Sequence, residues 1–387
     1  MVEIWGLNLR HLRAMATIAR LGSLSAAARA VNVSQPALTQ AVAGLEARLG
    51  EPLFQRRARG VGATEAALLL APRIEAALAH IASPRVTMAQ VRALSALARD
   101  GGYADAARAT GLSEPSLHRA IGDLSIALGK PLVVRRGRGV ALTPSGKRTA
   151  RAFRLARAEL DAGLAELAGL RGHETGRIAV GAMPLSRARI LPQAVAAFHP
   201  THPAVKIAVI EGSHAELLEP LRQGDLDLMI GALRDPAPGD DVIQRALFQD
   251  RPIVVGRRGH PLAGRSPGLA ALGAFPWIVA APGTPLRRQW QAMFSPLGEP
   301  APAVPIECGS VITIRQILME SDFLALLSVD QVALELEAGW LAKVGDAPAD
   351  VVRIIGVTTR ADWRPTPSQR DFLAALTASA ATLPQNL

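Results

Sequence analysis

Gln35, Ala37, Thr39 and Gln40 gather two amides, a methyl and a hydroxyl within the first two turns of one helical segment, directly after Ser34 and Pro36. A side-chain amide offers a donor beside an acceptor, which matches the edge that adenine presents in the major groove, and threonine offers either a hydroxyl or a methyl. Ser34 can cap the segment, and Pro36 falls in the first turn, where its missing N–H costs nothing. Some twenty residues later, Arg56, Arg57 and Arg59 crowd the tip of a short hairpin, Arg56-Arg57-Ala58-Arg59-Gly60. Guanidinium groups so placed can reach phosphate or the minor groove.

These groups need a scaffold, and the flanking residues supply one. Leu12, Met15, Ala16 and Ala19 repeat at helical spacing over residues 9–21, Gly22 stops that helix, and Ser23 can cap a second over residues 24–31. After the Asn32-Val33 turn, Leu38, Val42, Leu45 and Leu49 form a core stripe with Gln35, Ala37, Thr39 and Gln40 on the other side. Residues 53–55 and 61–63 read as two short strands around the arginine tip. Taken singly, each helix could be ordinary core packing and the arginines a solvated charge run. In this order, they predict a helix-turn-helix with a wing, which is a DNA-binding unit.

The pattern occurs twice. Residues 9–71 and 88–150 align without a gap at a shift of 79, as measured from Ser34 to Ser113. Ala27-Ala28-Arg29-Ala30 matches Ala106-Ala107-Arg108-Ala109, and Ser34, Pro36 and Leu38 match Ser113, Pro115 and Leu117. The wing arginines recur as Arg135, Arg136 and Arg138. The reading end differs: Gln35, Ala37, Thr39 and Gln40 become Glu114, Ser116, His118 and Arg119. Glu114 can accept from a cytosine amine but repels phosphate, and His118 and Arg119 partly offset it. We expect both copies to touch DNA, the first with more sequence information. A structural or dimerising role for one copy is the alternative.

Charge follows the repeat. Residues 1–175 hold 24 of the 43 basic and 13 of the 33 acidic residues, a net +11, which leaves −1 for the remainder. A basic half suits a polyanion, and the neutral half suits another task. Cys308, the single cysteine, excludes an internal disulfide and suits a reducing compartment. No leader pattern and no long apolar run is found, so a cytoplasmic protein without membrane contact is expected.

Residues 65–81 read as a helix broken by Pro72 and closed by Ser83-Pro84. Residues 144–170 read as a longer helix with a seam of Phe153, Leu160 and Leu167, followed three positions on by Ala156, Gly163 and Leu170. That seam is expected to pair with a second chain, the alternative being a helix packed only within its own chain. Residues 171–176 then read as a hinge. Beyond it, apolar β-prone runs (177–182, 205–211, 226–231, 252–256, 277–280, 323–328) alternate with helices at 187–199 and 214–224, implying a parallel sheet with ligands beyond the strand ends.

The string SLSAAARAVNVSQPALTQAVAGLEARLGEPLFQRR closely resembles the winged helix-turn-helix of LysR-type transcriptional regulators. ADAARATGLSEPSLHRAIGDLSIALGKPLVVRRGRGVALTPSG resembles it too, whereas Glu65-Ala66-Ala67 departs from the usual ending in the first copy. EGSHAELLEPLRQGDLDLMIG resembles the effector domain of the same family, two α/β lobes of the periplasmic-binding-protein type around a cleft. Most members carry one winged domain, so the duplication is a departure.

The resemblance implies a multidomain chain. Residues 1–83 and 84–146 would be tandem, helix-rich winged helix-turn-helix domains and 147–175 a linker or dimerisation helix with its hinge. Residues 176–387 would be the effector domain, with lobe I about 176–250 and 345–387 and lobe II about 251–344. It implies operator DNA, a small-molecule effector of anionic character, a homodimer or homotetramer, and RNA polymerase as a candidate contact, with no cofactor. The cleft would be lined by Met183, Pro184, Leu185, Ser186, Ser213, Gly231, Ala232, Pro282, Thr284, Ser310 and Val311, although each serine could equally be a helix cap.

No GxSxG, HExxH, Walker loop or complete GxGxxG motif is present, and His199 and His202 read as a loop rather than a metal pair. No catalytic or metal site is expected. The alternatives from other classes are a DNA-anchored enzyme, which would turn over a small molecule, and a ligand-independent architectural protein, which would bind none.

Overall fold

The computed structural model describes residues 3–57, 60–137, 139–172, 175–297, 302, 304–348 and 351–382. Two compact units divide the chain at Gly176 and Arg177, the short stretch Gln223–Asp225 grouping with the first.

The first unit opens with helices α1 (Leu9–Leu21), α2 (Leu24–Ala30) and α3 (Gln35–Leu49), hairpin strands β1 (Phe54–Arg57) and β2 (Gly60–Ala63), and helix α4 (Glu65–Ile81). The second copy repeats this order as α5 (Met88–Asp100), α6 (Tyr103–Thr110), α7 (Glu114–Leu128), β3 (Val133–Arg136), β4 (Gly139–Leu142) and α8 (Pro144–Leu170). Side-chain oxygens of Asn8, Ser23, Ser34 and Thr64 cap the first copy's helices, and those of Thr87, Ser113 and Thr143 cap three of the second copy's.

Two expectations are corrected here. Pro72 does not break its helix, because α4 runs through it. An interior proline costs about 3 kcal/mol, whereas burying Leu70, Ile74 and Ile81 contributes about 1.5–3 kcal/mol for each side chain. The α8 seam also departs from expectation. Phe153, Ala156, Leu160, Gly163 and Leu167 are buried within their own chain, in a core shared with Leu70, Ile74, Ala77 and Ile81 of α4. The duplication supplies in the same chain the helix that a second chain was expected to bring. Only Leu170 of the seam stays open, 42% exposed.

The second unit runs β5 (Gly176–Ala182), α9 (Ile190–Phe198), β6 (Val205–Glu211), α10 (His214–Gln223), β7 (Leu228–Ala232) and β8 (Val242–Asp250). It continues with β9 (Pro252–Arg257), α11 (Leu269–Gly273), β10 (Trp277–Val279), α12 (Pro285–Phe294), β11 (Ile306–Glu307), α13 (Val311–Met319) and β12 (Leu324–Ser328). It ends with α14 (Ala333–Glu337), β13 (Leu341–Asp346), β14 (Arg353–Arg360) and α15 (Pro367–Ala381). One sheet has the order β6-β5-β7-β14-β8 and the other β11-β10-β12-β9-β13.

The sheets are mixed rather than parallel. β5 runs parallel to β7, and β10 parallel to β11 and β12, but β14 is antiparallel to β7 and β8, and β9 to β12 and β13. The reason is the crossover. The chain passes from one sheet to the other at Arg251 and returns between β13 and β14, so the arriving strands run against their neighbours. Apolar cores lie on both faces of each sheet, including Phe198, Phe372 and Leu376 on the first and Trp277, Trp290 and Phe294 on the second.

Candidate DNA-reading surface and ligand cleft

In the first copy, Leu38, Val42, Leu45 and Leu49 are buried, which turns Gln35, Pro36, Ala37, Thr39 and Gln40 outward, all of them exposed. Asn32 adopts φ 55°, the left-handed turn conformation that asparagine tolerates, and so lets α2 meet α3 tightly. The Ser34 hydroxyl accepts from the Ala37 N–H at 3.3 Å, leaving the helix start open to solvent. The Ser25 hydroxyl donates to the Gln35 Oε1 at 2.9 Å, which orients that amide, and the Thr39 hydroxyl donates to the Gln35 carbonyl at 3.0 Å. Thr39 therefore presents its methyl and its oxygen lone pairs.

The wing is tied to this helix. Glu46 of α3 accepts from the backbone N–H groups of Leu53 and Phe54 at 2.7 and 3.1 Å. Arg56 is exposed on β1, Arg57 pairs in register with Gly60, and Arg59 lies outside the described residues.

The second copy repeats the geometry with other chemistry. Ser113 accepts from the Ser116 N–H, Leu117, Ile121 and Leu124 are buried, and Glu114, Pro115, Ser116, His118 and Arg119 are exposed. The His118 ring stacks on Tyr103, centroids 3.6 Å apart, so it is held against α6. Arg135 and Arg136 are exposed on β3, and Arg138 lies outside the described residues. Ser125 stands where the first copy has Glu46 and donates to the Ile121 carbonyl, so this wing lacks the carboxylate clamp.

In the second unit a cavity of about 400 Å³ is walled by residues of both sheets. Met183, Pro184, Leu185, Ser213, Ala232, Thr284 and Val311 of the expected residues are on its wall. Ser186, Gly231, Pro282 and Ser310 are not. The Ser186 hydroxyl is fully buried and donates to the Met183 carbonyl. Gly231 sits under the Met183 side chain, whose carbons would meet any Cβ there at 2.4 Å. Pro282 is exposed, and Ser310 caps α13 by accepting from the Thr313 N–H. Ser213 and Thr284 also cap helices, accepting from the Glu216 and Arg287 N–H groups.

Of the charged wall, sequence reasoning missed Arg234, Arg353 and His214. Arg187, Arg234 and Arg353 line the cavity together with His214. Arg187 is paired with Glu211, and Arg353 donates through Nε to Asp250 at 2.8 Å in a buried pair across β14 and β8. Arg234 differs. Its Nη1 is buried without a hydrogen-bond partner, as is Nε2 of His214. Burial, then Arg288, lowers the pKa of Arg234. Burial, then Arg234 and Arg222, holds His214 down at about 4. Their signal was available: His214 stands inside the motif EGSHAEL, and Arg234 follows the strand end Gly231-Ala232 by two residues.

Against known proteins, the description "Bacterial regulatory helix-turn-helix protein, lysR family" matches residues 9–68 and again 88–147, and "LysR substrate binding domain" matches residues 171–381. The chain belongs to the LysR family. As a LysR-type regulator it is a DNA-binding transcriptional regulator with an effector-binding domain, not an enzyme, and it has the expected multidomain fold. It is 32% identical over 389 residues to the HTH-type transcriptional regulator GalR of Pseudomonas putida, covering 97% of this chain and 98% of that one. Two solved structures share the fold of this LysR-type chain. LysG of Corynebacterium glutamicum with bound effector Arg has a TM-score of 0.55 at 16% identity, over 76% of this chain and 97% of that one. Full-length CbnR with its target DNA has a TM-score of 0.54 at 20% identity, over 75% and 98%. Among the described residues, no helix of this LysR-type chain is long and apolar enough to cross a membrane.

Proposed function

We infer that this regulator reads operator bases with Gln35, Thr39 and Gln40, holds phosphate with the wing arginines, and answers to a small anionic effector in the cavity between its two sheets. The observation that carries the base-reading part is the exposed polar start of α3 set against a fully buried stripe, in the half of the chain that holds all the excess positive charge. A helix start of this kind fits the major groove and favours a nearby phosphate.

Arg234 and His214 carry the effector part. A guanidinium nitrogen buried without a partner is costly, and a carboxylate or other oxyanion supplies the acceptor that Nη1 of Arg234 lacks, along with a balancing charge. The apolar remainder of the wall, including Leu185, Ile278, Val311 and Leu326, suits a hydrocarbon body attached to that anion. Cytoplasmic action, assembly into dimers or tetramers through the effector unit, and contact with RNA polymerase belong to the same reading.

The test of the effector class is thermal unfolding with a panel of small carboxylates and their neutral amides. At least one carboxylate is expected to raise the midpoint where its amide does not, and Arg234→Gln is expected to remove that gain. Equal response to acids and amides would count against an anionic effector.

A further inference from the structure

We propose that one chain of this regulator is a complete two-headed DNA clamp, with its two winged copies related by an approximate two-fold axis and reading the two unequal halves of one operator. This rests on the DNA-reading assignment above and adds which copies face which DNA.

The shared core carries the argument. At the repeat shift of 79, Leu9, Leu12, Met15, Leu45 and Leu53 of the first copy correspond to Met88, Val91, Leu94, Leu124 and Leu132 of the second. Ile74, Ala77 and Ile81 of α4 correspond to Phe153, Ala156 and Leu160 of α8. All sixteen belong to a single buried cluster. When two copies bury the same positions against each other, the contact is isologous, the mark of a two-fold relation. Translated copies would bury different faces.

Rigidity follows from the same contact. Gly163 of α8 lies against Leu70 and Arg73 of α4, where a Cβ would meet side-chain carbons at 3.1–3.3 Å. Arg73 bonds Glu159 and Glu166 of α8 in a region that water scarcely reaches. Past the part of α8 that matches α4, Arg171 donates to the Leu49 carbonyl at 2.7 Å, at the C-terminus of the first reading helix. The first head is therefore tied to the second at both ends of α8's extension.

A two-fold pair of reading helices addresses successive major-groove segments about one DNA turn apart. In a pair of identical chains both halves are read alike. Here one head offers Gln35, Thr39 and Gln40 and the other Glu114, Ser116 and Arg119, so the halves must differ in sequence.

The test is selection of bound duplexes from a random pool with the full-length protein and with the exposed-site variants Gln35→Ala and Arg119→Ala. The wild type is expected to enrich two unlike half-sites. Gln35→Ala should reduce base preference about tenfold in one half only, and Arg119→Ala in the other half only. Relaxation of both halves together by Gln35→Ala, with no effect of Arg119→Ala, would mean two chains each using the first head and would overturn the clamp. Enrichment of no sequence by the wild type would instead overturn the DNA-reading assignment itself.

Discussion

Arg73 on α4 and Glu166 on α8 stand 93 positions apart in the chain and meet at 2.5 Å, their side chains only 7% and 10% exposed. Glu159 completes the cluster at 3.0 Å. Burial opposes the charge on Arg73, but the hydrogen bonds and charges of Glu166 and Glu159 outweigh it and raise its pKa. Ion pairs of this kind fix which residues must face each other more surely than they add stability.

Removing the arginine should therefore cost more than replacing the whole cluster. Arg73→Ala leaves two buried carboxylates unpaired and is expected to destabilise the first unit by about 3–5 kcal/mol. Replacing all three residues by leucine or methionine is expected to recover most of that. Urea unfolding followed by circular dichroism measures both. A triple variant as unstable as Arg73→Ala would show that the charges themselves are required.

His214 predicts a pH response of the effector unit. Its folded pKa, about 4, lies below the ordinary value of 6.5, so the unfolded chain takes up the proton first as pH falls. The stability it contributes is fully present above about pH 6.5 and is lost as pH falls from there through about 4. His214→Gln should flatten the dependence of the thermal midpoint on pH across that window relative to the wild type. Parallel curves for the two proteins would contradict a neutral His214.

The wing arginines should act without regard to sequence. Arg56→Ala and Arg135→Ala each remove one exposed guanidinium, and each is expected to weaken binding to all duplexes. Each lost phosphate contact should reduce the slope of log affinity against log salt by about 0.9. Fluorescence anisotropy at several salt concentrations reads this directly. An unchanged slope would remove that arginine from the phosphate contacts.

The parts legible in the sequence are those governed by local periodicity. The α3 stripe repeats at helical spacing with Ser34 in front and Gly50 behind, so both its buried and its open faces were readable. Pro72 misled because the tertiary burial that keeps α4 continuous is invisible in the local pattern. For the α8 seam the alternative reading, packing within its own chain, is the one the structure follows, since sequence spacing shows that a face is apolar and not which helix covers it. In the cleft, each serine was open to two readings, and Ser310 follows the helix-cap one, while the Ser186 hydroxyl is taken up by the Met183 carbonyl. Arg234 and His214 stand beside segments that could be read as cleft-lining, but only folding brings α10 and the end of β7 together at one cavity and buries a nitrogen of each.

The most direct measurement is the ratio of affinities of the full-length regulator for its selected duplex and for a scrambled duplex of equal length at one physiological salt concentration. Specific recognition by reading helices predicts that the selected duplex binds about a thousandfold or more tightly, with Gln35→Ala narrowing the gap. Equal affinity for the two duplexes, or a gap untouched by Gln35→Ala, would contradict the account.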